Sequence, residues 1–180
     1  MIKKVIGIVG KIGSGKDTVA DYFVDNHGYM KYSFAIPIKD IAVNIFGFTT
    51  DQVDDHLLKE TKDDFWGITP RKFLQIVGTD MFREIFRQDV WLKIAERNIT
   101  DTQKNIIIPD IRFENEVKFV KEKYNGTIIK IIRYNGLSST KTNQHKSEKG
   151  INDEYIDFTI DNNYDMDTLV ENLKRISNKI

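Results

Sequence analysis

Apolar positions along this chain follow two alternating rhythms. Short runs with apolar and β-branched residues lie near 3–9, 30–34, 105–109, 127–133 and 157–160, and the first, third and fourth are rich in Ile and Val. Runs of that length and β-branched content predict strands buried on both faces. Between them the apolar spacing lengthens to every third or fourth residue, which predicts helices near 16–27, 38–46, 70–86, 89–99, 114–124 and 166–179. Thr69-Pro70 adds a start signal to the third helix, a capping hydroxyl followed by proline at the first helical position. Strand and helix in alternation predict βαβ units: an α/β fold with a parallel five-stranded sheet covered by helices on both faces. Two stretches break the rhythm. The polar stretch 49–67 is expected to form helical or loop insertions, and 135–150 reads as a loop.

Length and charge narrow the picture. With 180 residues the chain is expected to be a single domain, with a helical insertion at about 36–100 and a lid-like loop at about 135–150. The 27 Lys and Arg balance 27 Asp and Glu, so no global charge points to polymeric nucleic acid or a membrane surface. There is no Cys, which excludes disulfides and thiolate metal sites. The first strand begins almost at once and no apolar run reaches membrane-spanning length, so a cytoplasmic protein is expected.

The strongest local signal is Gly10-Lys11-Ile12-Gly13-Ser14-Gly15-Lys16-Asp17-Thr18, placed between the first strand and the first helix. It matches G-x-x-x-x-G-K-[ST] except at the last position, where Asp17 stands in place of a hydroxyl residue. Glycines let the backbone curl with its N–H groups inward, the helix adds its positive end, and Lys16 brings a full charge to the outer phosphates. A nucleoside triphosphate is the expected ligand.

In open α/β sheets ligands sit beyond the carboxyl ends of the strands. Asp110 closes the 105–109 strand there, with Arg112 and Glu116 following. Two readings fit. Asp110 holds Mg²⁺ through water while Arg112 faces a phosphate, or Asp110 caps a helix beside a surface Arg–Glu pair. The helix from Pro70 carries Phe73, Leu74, Ile76, Val77, Met81 and Ile85 as its packing set. Arg71, Gln75, Thr79 and Arg83 form a separate polar stripe beside Gly78, either a solvated face or a surface that something approaches closely. Trp91 is either a core aromatic or a stacking platform for a base. Arg133, Lys141, His145, Lys146 and Glu148 are either a basic lid over phosphates or a solvated tether.

Four blocks together resemble the deoxynucleoside monophosphate kinases of phages and large DNA viruses. They are Gly13-Ser14-Gly15-Lys16-Asp17-Thr18, Arg71-Lys72-x-x-Gln75-x-x-Gly78-Thr79-Asp80, Trp91, and Asp110-x-Arg112-Phe113-x-Asn115-Glu116, with a weaker echo in His145-Lys146-Ser147-Glu148. The resemblance implies a P-loop NTPase fold of the nucleoside monophosphate kinase type, and phosphoryl transfer from ATP to a deoxynucleoside monophosphate with Mg²⁺. It implies that Gly13, Ser14, Gly15, Lys16, Asp17 and Thr18 bind ATP. Lys16, Asp110 and Arg112 would be catalytic, with Thr18 and Asp110 at the metal. Ser14, Asp17, Thr18, Arg71, Lys72, Gln75, Gly78, Thr79, Trp91, Asp110, Arg112 and Glu116 would serve the monophosphate. Asp17 is expected to point aside from the triphosphate, towards the acceptor's sugar. A tendency to form homodimers is implied as well, through exposed parts of 49–67. Two other readings remain: a phosphomevalonate or dephospho-coenzyme A kinase on the same fold, and a non-catalytic nucleotide-binding module.

Overall fold

Five parallel strands form in the predicted places: β1 (Val5–Val9), β2 (Met30–Lys31), β3 (Ile106–Ile108), β4 (Thr127–Ile132) and β5 (Phe158–Asp161), of which β1, β3 and β4 are rich in Ile and Val. The computed structural model describes residues 3–134 and 151–180. Strand order is β2-β3-β1-β4-β5, every pair parallel, with Val5 beside Ile106 on one flank of β1 and Ile6 beside Thr127 on the other. The chain builds β2 and β3 on one side of β1, then crosses to the other for β4 and β5. Topology therefore reverses at β1, and the glycine-rich loop leaves its carboxyl end.

Helices α1 (Lys16–His27) and α7 (Met166–Ser177) cover one face of the sheet. Val19, Ala20, Phe23, Leu169, Leu173 and Ile176 pack there against Ile6, Ile8, Ile107, Ile129, Ile131 and Ile160, all buried. Each such Ile, Leu or Phe removed from water contributes about 1.5–3 kcal/mol. The opposite face is closed by α6 (Glu114–Lys118) and its π-helical continuation Phe119–Lys123, which carry buried Val117, Phe119 and Val120. Helices therefore lie on both faces, as the alternating pattern predicts.

The chain divides into two compact units, Met1–Ser33 with Ile99–Ile180, and Phe34–Asn98. The second unit holds α2 (Ile36–Asn44), α3 (Thr50–Asp54), α4 (Pro70–Gln75) and most of α5 (Val90–Thr100). The polar 49–67 stretch is helical in part, α3 being opened by a reciprocal cap between Thr49 and Gln52. After α4 the helix widens into a π-helical stretch, Ile76–Phe86, ending where the Arg87 N–H reaches back five residues to the Phe82 carbonyl at 2.9 Å. The widening corrects the expected packing set. Phe73 and Val77 are buried, but Met81 is 48% and Ile85 81% exposed. An α-helical period loses phase once the turns hold more residues.

Candidate active site

The glycine-rich loop owes its shape to left-handed backbone at Gly13 (φ 75°) and Gly15 (φ 97°). Gly15 also stands at the start of α1 and supplies no side-chain acceptor to its first turn, and helix N-terminal N–H groups suit an anion. Ser14 is buried, and its Oγ has no hydrogen-bond partner among the described residues. A methyl on Gly10 would lie 2.6 Å from that Oγ and from the Ile131 carbonyl, so the strand-to-loop corner has room for glycine alone. Lys16 Nζ donates to the Lys11 carbonyl at 2.8 Å, bridging the loop. Burial and the charge of Arg112 push the Lys16 pKa below the ordinary 10.5, while Asp17 and Asp110 oppose the shift. Lys16, Asp17, Asp110 and Arg112 thus share one electrostatic neighbourhood.

Asp110 follows β3 and accepts a 2.7 Å hydrogen bond at Oδ2 from Ser33 Oγ, just beyond β2. Arg112 is exposed. Its backbone N–H donates to Glu116 Oε2 at 2.7 Å, and the Phe113 N–H donates to the same oxygen at 3.0 Å. Glu116 is only 2% exposed. In place of the expected contact with the monophosphate, its carboxylate fastens the turn that carries Arg112, half of a capping box at the start of α6.

Asp17 and Thr18 are both exposed on the first turn of α1. Asp17 pairs with Lys31 at 3.0 Å, and Lys31 also holds Asp21 at 3.0 Å. Burial lowers the Lys31 pKa, but hydrogen bonds to the two carboxylates outweigh it and the net shift is upward. Asp17 is thus directed to a lysine at the end of β2.

In the second unit, Arg71 Nε donates to Glu60 Oε1, Lys72 is exposed and Gln75 half-buried. The polar stripe is not a solvated face, for Thr79 and Arg83 are each 7% exposed. Gly78 is buried, and a methyl there would meet Ile38 Cδ1 of α2 at 2.9 Å. What approaches that backbone is the unit's own core. Trp91 resolves likewise. It is 1% exposed, its Nε1 donates to the Gly78 carbonyl at 2.7 Å, and its ring lies 5.2 Å from Phe82. An indole so enclosed has no free face for a base, which corrects its expected place in the substrate site.

Arg133 is exposed beyond β4, while Lys141, His145, Lys146 and Glu148 lie outside the described residues. No cluster of three or more His, Cys, Asp or Glu suited to a metal occurs among the described residues, and no helix there is long and apolar enough to cross a membrane. Sequence reasoning passed over Ser33, Lys31, Glu60 and Asn162. Asn162 Nδ2 donates to the Ser14 carbonyl at 2.9 Å. Ser33 and Asn162 both sit just past strand carboxyl ends, the rule that singled out Asp110, and carry no motif of their own.

Comparison with known proteins gives the family. The family model described as deoxynucleotide monophosphate kinase matches residues 4–69 and 45–173. A protein of Acanthamoeba polyphaga mimivirus, provisionally named a deoxynucleotide monophosphate kinase, is 38% identical, with 80% of each chain covered. The deoxynucleoside-5'-monophosphate kinase of Escherichia phage T5 is 27% identical over 89% of this chain and 90% of its own. Among solved structures, shikimate kinase from Aquifex aeolicus is similar over 97% of both chains, at 15% identity and a TM-score of 0.48. With a phosphate loop, a facing acidic and basic pair and a family match along most of its length, the chain belongs to the deoxynucleotide monophosphate kinase family and is a nucleotide-phosphorylating phosphotransferase.

Proposed function

We propose that the protein transfers the terminal phosphoryl group of ATP to a deoxynucleoside monophosphate, yielding the diphosphate and ADP. The observation that carries this is the shared neighbourhood of Lys16, Asp110 and Arg112 at the carboxyl end of the sheet. Phosphoryl transfer asks for alignment and charge neutralisation, because the acceptor is already an anion and needs no strong base. The loop N–H groups and Lys16 hold the donor's phosphates, and the Ser14 hydroxyl, without a partner among the described residues, is a further polar group in that cradle. Arg112 neutralises charge on the transferring phosphate. Arg71, Lys72 and Gln75 are assigned to the acceptor, with Glu60 holding the Arg71 guanidinium.

Asp110 and Thr18 suit Mg²⁺, a hard cation that takes oxygen ligands and keeps several waters. Asp110 is half-buried and oriented by Ser33, and Thr18 lies on the first turn of α1, so one carboxylate and one hydroxyl are at hand. Bound there, the ion would screen the triphosphate's charge. A homodimer formed through 49–67 belongs to the same reading, supported by Leu57 and Phe65 at 79% and 85% exposed. A cytoplasmic location, beside the nucleotide pool, belongs to it too.

The deciding experiment is an acceptor panel in which ADP formation from ATP is measured with each ribo- and deoxyribonucleoside monophosphate. Turnover with at least one deoxynucleoside monophosphate is expected. Turnover with phosphomevalonate or dephospho-coenzyme A alone would transfer the assignment to those kinases, and none with any acceptor would leave a binding module.

A further inference from the structure

We infer that Asn162 is a positioning residue for the phosphate donor: by holding the Ser14 carbonyl it aims the Gly15 N–H into the loop. The inference rests on the ATP-donor reading above. Asn162 Nδ2 lies 2.9 Å from Ser14 O, and since a carbonyl only accepts, the amide nitrogen must be the end that faces it. The Ser14–Gly15 peptide is trans, so its C=O and N–H point in opposite directions. Fixing the carbonyl towards the turn after β5 therefore turns the Gly15 N–H away from that turn. This N–H is one of the donors that a glycine-rich loop presents to phosphate.

The peptide needs such a hold. Glycine adopts positive and negative φ with nearly equal ease, so nothing intrinsic to Gly15 keeps it at 97°. Gly15 also makes the hold possible, for a methyl at this position would collide with Asn162 Nδ2. One glycine thus supplies the turn, the space for the amide and the freedom that the amide must restrain.

The turn carrying Asn162 is itself braced. The Asn162 N–H donates to the Ile132 carbonyl at the end of β4 at 2.8 Å. Asp161 Oδ1 accepts from the Asn163 N–H at 3.1 Å and also from Asn163 Nδ2. Asn163 Oδ1 in turn accepts from the Tyr134 N–H at 2.7 Å. Three consecutive polar residues, the last of β5 and the two after it, thereby brace the turn that holds the Asn162 side chain against the loop.

The test compares wild type with Asn162→Ala and with Asn162→Asp, which keeps the shape but replaces the donor with a second acceptor. Steady-state kinetics, calorimetric titration with ADP and the Gly15 resonance in an amide ¹H–¹⁵N spectrum are the readouts. In Asn162→Ala the KM for ATP and the ADP dissociation constant rise about tenfold, the scale of one hydrogen bond to a charged group. Asn162→Asp loses more, and the KM for the acceptor stays within twofold in both. In wild type the Gly15 amide shifts on saturation with ADP, and the variants lose that shift. A cooperatively folding variant with unchanged nucleotide affinity overturns the inference. So does a wild-type Gly15 amide that ignores bound ADP, a measurement that needs no variant to fold. A wild type that binds neither ATP nor ADP sinks the donor reading and this inference with it, whereas a wild type that turns over while its variants match it sinks the inference alone.

Discussion

The buried carboxylate of Glu116 accepts the backbone N–H of Arg112 at 2.7 Å, so the residue assigned to the transferring phosphate is carried on a turn tied from within. Removing the carboxylate leaves two backbone donors without their acceptor. Glu116→Ala is expected to destabilise the protein by about 1–3 kcal/mol, read by urea unfolding, and to lower kcat. Glu116→Gln keeps an acceptor oxygen and should recover most of both. A change confined to the acceptor KM would instead make Glu116 a substrate contact.

Arg112→Ala should leave stability within about 0.5 kcal/mol, since the exposed side chain contributes little packing. Its turnover should fall about a hundredfold or more, because a charge aimed at the reacting phosphate is lost. Unchanged turnover would dismiss the role given to it.

The lowered pKa of Lys16 has a kinetic signature. Burial and Arg112 disfavour its charged form in the free enzyme, so the charge is lost at a pH below the ordinary 10.5. Bound phosphates favour the charged form and raise the value again. The alkaline limb of kcat/KM for ATP, which reports the free enzyme, should therefore lie at lower pH than that of kcat. Coincident limbs would show that Lys16 does not meet the phosphates. For folding the sign is opposite to that of a lysine that gains a partner. A lysine whose folded pKa is depressed weakens the fold while charged, and the penalty fades as pH rises through the folded value towards the unfolded one.

Trp91→Phe separates a core role from a substrate role. It removes the Nε1 bond to the Gly78 carbonyl and opens a small cavity beside Phe82. A stability loss of about 1–3 kcal/mol is expected in denaturant titration, with the monophosphate KM within twofold. An unaltered unfolding midpoint with a sharply raised KM would return the indole to the base site.

Asp17→Ser restores the hydroxyl of the motif and breaks the ion pair with Lys31. The pair is exposed, Asp17 being 78% accessible, so its loss should cost under about 1 kcal/mol. Kinetically the acceptor KM should rise while that for ATP changes little. A rise for ATP alone would mean that Asp17 serves the donor.

The fold and the donor loop were legible because they depend on local order. Short apolar runs, helical spacing and a glycine pattern specify the strands, the helices and the sharp turn wherever the rest of the chain goes. The place of Asp110 and Arg112 just past the carboxyl end of β3 was legible too, and that end is where such a sheet presents ligands. Distant partners were beyond any pattern. The sequence marks Trp91 and Gly78 as notable residues, but only packing turns them towards each other and towards Ile38. It lists Glu116 beside Arg112 without saying which of them is buried, and it separates Asn162 from Ser14 by 148 residues. A residue's identity sets what it is able to donate, accept or bury. Which group stands opposite, and whether water is present, is decided when the strands align and the chain's far end returns to the loop.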